Sequence, residues 1–100
     1  MPDAVTLAGE GLRLDKFLWF VRLAKTRSAA QALAATGHLR LDGRRVERAH
    51  ACVRVGSVLS LPHGNGARVV RVEALPVRRG PAPEARACYE VVGESPGSPA

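Results

Sequence analysis

A chain of 100 residues and 10.6 kDa, 46% hydrophobic but only 4% aromatic, supports one domain whose core is built from Ala, Val and Leu. No apolar run approaches the roughly 20 residues of a membrane-spanning helix, and residues 1–11 carry Asp3 and Glu10 without a basic residue, which argues against a secretory signal. A formal net charge of +6 and a pI of about 10.7 place the chain among binders of nucleic acids and other polyanions, and a cytoplasmic protein with no membrane partner is expected.

In chain order, residues 1–11 read as a flexible leader. Leu14, Phe17, Leu18 and Val21 repeat at i, i+3, i+4 and i+7, which predicts an amphipathic helix over 14–23 with Asp15 as cap or first-turn residue. A break near Lys25 follows. Thr26 then caps a second helix over 27–36, Ala-rich, with Ala30, Leu33 and Ala34 on one face and Gly37 as a left-handed stop. Beyond Gly37 the period changes to two. His38 to Leu41 alternates, Asp42-Gly43 is a hairpin turn, and Arg44 to Val46 returns. Further strands are predicted at 53–55, 58–61 and 68–74, the last after a turn at His63 to Gly66. A short helix is predicted at 83–87 and a strand at 89–92. The fold class is α+β: two N-terminal helices at a corner, packed on a small, mostly antiparallel sheet. The domain is expected over 12–92, with 93–100 (GESPGSPA) as a disordered tail.

The charge is concentrated. Between Arg13 and Arg48 lie nine basic and three acidic residues, which carry the whole net charge of +6; the rest of the chain is neutral. At the corner, Lys25-Thr26-Arg27-Ser28 sets two cations and two hydroxyls around a helix N-terminus, where unpaired N–H groups and the helix dipole favour a phosphate. Arg27 opposes that dipole, and a cation placed against local preference marks a functional position. Around the hairpin, Arg40, Arg44, Arg45 and Arg48 form a second cluster, Arg40 pointing outward while Leu39 and Leu41 point inward. If corner and hairpin share a side, they make one polyanion surface.

Cys52 and Cys88 have no CxxC partner and are expected as buried thiols. With His38, His50 and His63 they have no zinc-ligand spacing. Asp15, Asp42 and Glu47 form no catalytic motif, and Gly64-Asn65-Gly66 lacks the lysine and helix of a phosphate-binding loop. No enzyme, metal or cofactor is expected.

Arg13-Leu14-Asp15-Lys16, Leu18, Lys25-Thr26-Arg27-Ser28-Ala29-Ala30, Leu33, Gly37, Leu39, Leu41-Asp42-Gly43 and Val46 together resemble the RNA-binding domain named after ribosomal small-subunit protein four, with its alpha-L motif of two helices. Thr26 stands where Ser is usual, and Leu-Asp-Gly replaces Val-Asn-Gly. The resemblance covers about residues 12–61. Lys16-Phe17-Leu18-Trp19, the corner, and Arg78-Arg79-Gly80-Pro81-Ala82 with Glu84-Ala85 and Tyr89-Glu90 also resemble the ribosome-associated heat shock protein fifteen family. That resemblance implies a single-domain binder of ribosomal RNA on the large subunit, and off the ribosome a monomer is expected. It further implies a part in rescuing large subunits that carry a blocked nascent chain on transfer RNA. The family's long basic C-terminal extension has no counterpart in GESPGSPA. By position the resemblance implies RNA contacts from Arg13, Lys16, Lys25, Thr26, Arg27, Ser28, Gln31, Arg40, Arg44 and Arg45. Asp15 is expected as a cap or as an orienting partner for a neighbouring arginine, and Trp19, an aromatic at helical spacing, in the core in preference to stacking on a base. The alternatives are a DNA-binding protein using the same corner, or a protein- or membrane-surface module with incidental charge.

Overall fold

A computed structural model describes residues 11–46, 48, 51–63 and 66–95. Helix α1 (Leu14–Phe20) begins directly after a two-residue strand, β1 (Leu12–Arg13), and α2 (Arg27–Ala35) follows the corner. The predicted apolar stripe is the core face: Leu14, Phe17, Leu18 and Val21 are buried against Ala30 and Ala34 of α2. Alanine at these two positions lets the helices approach closely.

Helix α1 stops three residues before the predicted end. Leu23 N–H bonds Leu18 O at 2.9 Å and Arg22 N–H bonds Trp19 O at 3.2 Å, the paired bonds of a Schellman stop. Arg22 takes the left-handed position (φ 65°) that glycine usually fills. The start of α2 needs no such exception, since Thr26 Oγ1 accepts from Ala29 N–H at 2.9 Å. Gly37 follows the helix at φ 82°.

Strands β2 (Arg40–Leu41) and β3 (Arg44–Arg45) flank Asp42 and Gly43, both at positive φ (53° and 87°), the type I′ geometry of a two-residue hairpin. Asp42 ties this hairpin to the next strand: its N–H donates to Val58 O at 2.8 Å and its Oδ1 accepts from Val58 N–H at 2.9 Å. Strand β4 (Cys52–Val53) pairs with β1 and holds the start of α1, where Leu14 N–H bonds Ala51 O. The predicted strand at 53–55 is thereby shortened, because Arg54 to Ser57 close a turn around Gly56 (φ 93°).

The main sheet is antiparallel throughout, in the order β3-β2-β5-β6-β7, with β5 (Val58–His63), β6 (Gly66–Val72) and β7 (Tyr89–Ser95). His63 pairs with Gly66, and Gly64 and Asn65 of the predicted turn lie outside the described residues. Leu39, Leu59, Leu61, Val70 and Val72 complete the core under the helices. A short helix, α3 (Ala82–Arg86), adds Ala85 and, just after it, Cys88.

Three expectations need correction. Gly93, Glu94 and Ser95, assigned to the tail, pair with Val69, Arg68 and Ala67 beyond a bulge between Val69 and Val70, so backbone bonding extends the domain past residue 92. Residues 96–100, like the leader's 1–10, lie outside the described residues. Cys88 is buried as expected, but Cys52 is exposed, since it alternates on β4 with the buried Val53 and so faces away from the core. Trp19 is half-buried instead of fully in the core: it packs on the core's edge and Arg79 lies over its ring at 5.3 Å.

Candidate nucleic-acid interface

The interface centres on Asp15, a carboxylate in the first turn of α1 with no solvent-exposed side-chain surface. A buried charge survives only when donors surround it, and here they do. Arg13 closes a fork, Nε to Oδ1 and Nη2 to Oδ2, each 3.1 Å. Lys16 N–H donates to Oδ1 at 2.9 Å and Gln31 Nε2 to Oδ2 at 3.2 Å. Arg27 Nε lies 3.8 Å from Oδ2, an ion pair without a hydrogen bond. Burial pushes the Asp15 carboxyl up, but the bonds from Arg13, Gln31 and the Lys16 amide outweigh it, and the Arg13 charge adds to them; the net position is below the ordinary 3.8.

This carboxylate therefore joins four sequence-predicted residues from two helices and a strand: Arg13, Lys16 (by its amide), Arg27 and Gln31. One negative charge faces two guanidinium groups whose side chains remain 46% and 41% exposed. The excess positive charge is held in place and reaches solvent, which suits a phosphate oxygen. Beside it, Lys25, Thr26 and Ser28 are exposed at the start of α2. Thr26 uses its hydroxyl on the helix, leaving the amides of Arg27 and Ser28 without intrahelical partners, as at any helix start. No acidic residue occupies the first turn of α2.

The hairpin cluster stands apart from this corner. Arg40 and Arg45 are cross-strand partners, a like-charge pair that costs stability unless an anion lies between them. Both border a groove with Gly37 and His38, while Arg44 and Arg45 border a second groove with Leu41, Val46 and Arg48. Arg45 lies against Gly37, at the C-terminal end of α2. Corner and hairpin thus sit at opposite ends of that helix, separated by roughly 14 Å for nine helical residues.

Two contributors were not assigned a role from sequence. Arg79 donates to Trp19 O and, at 3.3 Å, to Ala24 O, capping the carbonyl end of α1 while covering the Trp19 ring. Arg22 donates from Nε to Gly80 O at 2.7 Å. The segment around Gly80 thereby clamps the corner from more than fifty positions away, a distance over which no local pattern signals contact. Among the described residues, no group of three or more His, Cys, Asp or Glu is placed to hold a metal, and no helix is long and apolar enough to cross a membrane.

Comparison with known proteins follows the same outline. The S4 domain family matches residues 12–59. A heat shock protein 15 homolog of Haemophilus influenzae is 37% identical over 84 residues, 84% of this chain and 63% of that protein. The chain thus spans under two thirds of that relative's length. Small ribosomal subunit protein uS4 of Listeria welshimeri is 37% identical over 65 residues, 65% of this chain and 32% of that one. A trimeric structure of Vibrio cholerae heat shock protein 15 superposes with a TM-score of 0.76 at 32% identity, covering 83% of each chain.

Proposed function

Because the chain belongs to the heat shock protein 15 family and carries its S4 domain, we propose that it is a non-catalytic protein that grips structured ribosomal RNA on the large subunit. The observation that carries this reading is the pair of guanidinium groups, Arg13 and Arg27, held on the buried Asp15 carboxylate. With Lys16, Lys25, Thr26, Ser28 and Gln31 they make a phosphate-binding corner, and Arg40, Arg44 and Arg45 supply a second contact along the RNA. RNA is read chiefly by shape and phosphate geometry, because Trp19 is engaged by Arg79 and the chain has few other aromatics. In the cytoplasm the same grip recruits the protein to large subunits that still hold a blocked nascent chain on transfer RNA.

A DNA-reading role finds less support. The exposed residues of α2 are mainly alanine, and Gln31, which could read a base, is bonded to Asp15. The test is binding of a ribosomal RNA hairpin against duplex DNA of the same sequence. The hairpin binds more tightly, with roughly 0.7–0.9 units of log–log salt slope per phosphate neutralised, and Arg27→Glu and Arg44→Glu each weaken it. Equal affinity for both ligands, or unchanged affinity in both variants, overturns the proposal. The V. cholerae relative is trimeric; this reading keeps the free chain monomeric, and a light-scattering mass well above 10.6 kDa would refute that part.

A further inference from the structure

Beyond α1, residues 21–23 border a cleft of about 330 Å³ that the Asp15 cluster does not use. Val21 and Leu61 give it apolar walls, and Arg22, Arg68, Arg86 and Tyr89 bring the chemistry. Arg68 is out of place by pattern. It alternates with Val70 and Val72, both buried, and so shares the inner face of β6. A guanidinium on a core face is tolerated only where it meets a partner and an opening; Arg68 pairs with Glu94 on β7 at 3.2 Å and borders the cleft. Arg22 is out of place by conformation, left-handed at φ 65°. Its Nε is anchored on Gly80 O, and its two terminal nitrogens have no hydrogen-bond partner among the described residues. Arg86, exposed at the end of α3, likewise has no ion-pair partner among them. With Arg68 balanced by Glu94, Arg22 and Arg86 leave the cleft cationic beside the half-buried ring of Tyr89.

We infer that this cleft binds one unpaired nucleotide of the RNA held at the corner, its phosphate on Arg22 and Arg86 and its base against Tyr89. Its volume, near the lower end for small-ligand sites, fits a single nucleotide and excludes a duplex. An aromatic ring beside apolar walls with a cationic rim matches a base joined to a phosphate, the pattern by which unpaired RNA is held. The corner lies within reach: Lys25 is three positions on from Arg22, at most roughly 11 Å along the chain. The inference rests on the RNA-binding reading and adds to it a preference for duplexes that end in, or are flanked by, a single strand.

The test measures affinity of the full chain for a blunt RNA hairpin and for the same hairpin with a short single-stranded extension. The extension tightens binding by about tenfold, the order of one stacked and neutralised nucleotide. Arg86→Glu, at a position without an ion-pair partner among the described residues, abolishes that gain and leaves the blunt hairpin within about twofold. Tyr89→Leu reduces the gain at unchanged charge. Arg27→Glu weakens both hairpins alike. If the blunt hairpin binds but the extension adds nothing, or if Arg86→Glu keeps the gain, the cleft assignment fails alone. If neither hairpin binds, the RNA reading fails and the cleft with it. If a polyglutamate peptide cancels the gain as well as a single-stranded oligonucleotide does, the cleft is an acidic-protein site and the nucleotide assignment is overturned.

Discussion

Replacing Asp15 by Asn separates placed charge from mere charge. The substitution raises the net charge from +6 to +7, so a protein that bound RNA only through its overall field would bind more tightly. The geometry predicts the reverse. Every group around the carboxylate is a donor: Arg13 Nε and Nη2, Gln31 Nε2, the Lys16 amide and, at 3.8 Å, Arg27 Nε. An asparagine keeps an acceptor toward Arg13 Nε and Lys16, but its NH₂ then faces Arg13 Nη2, Gln31 and Arg27. Two hydrogen bonds and both ion pairs are lost together. Charge-assisted bonds contribute about 1.5–3 kcal/mol each, discounted here because both arginines are more than one third exposed. A loss of about 2 kcal/mol follows, or roughly 10 °C in Tm for a domain of this size. Circular dichroism melting and RNA titration below the variant's Tm read the two effects separately. The folded variant should bind about tenfold more weakly, the weight of one misplaced phosphate contact. A folded Asp15→Asn protein that binds as tightly as the parent, or more tightly, refutes the positioning argument.

Other consequences are equally checkable. Since the Asp15 carboxyl lies below 3.8 in the folded state, its stabilising contribution is complete above the unfolded value and lost as pH falls through the folded one. The parent should therefore lose Tm faster than Asp15→Asn below pH 4, and parallel acid limbs would contradict this. Arg79→Ala removes the carbonyl cap of α1 and the cover of Trp19; it should destabilise by about 2 kcal/mol with a shifted Trp19 emission, whereas a surface cation would cost under about 0.5. Arg22→Gly should be more stable than Arg22→Ala by about 1 kcal/mol, the reverse of helix propensity, because the left-handed backbone penalises any Cβ. Burial, with the Glu84 charge adding, pushes the Cys88 thiol up, so a thiol reagent should modify Cys52 rapidly and Cys88 only on unfolding; rapid reaction of both would contradict the packing.

The parts of the fold that were legible are those with local signals. Helix α2 carries its own start in Thr26 and its own stop in Gly37, and Asp42-Gly43 fixes the hairpin, so these elements follow from a few adjacent residues. The end of α1 was not legible because an arginine occupies the position where a glycine would announce the stop. The continuation of β7 through Gly93 to Ser95 was hidden by composition, since its stability comes from pairing with β6 and not from its own residues. The same division holds at the site. Arg13 and Arg27 stand out in sequence by motif and by misfit with the helix dipole. Their convergence on Asp15, joined there by Gln31, and the clamp from Arg79, depend on packing between elements that only the tertiary structure brings together.

Ultraviolet crosslinking of bound ribosomal RNA, followed by mass spectrometry of the peptides, reads out whether the Asp15-centred corner grips RNA. Crosslinks should fall on residues 13–31, with a second group around Arg40 to Arg45. An RNA that crosslinks efficiently elsewhere on the chain and nowhere within 13–31 would contradict the account.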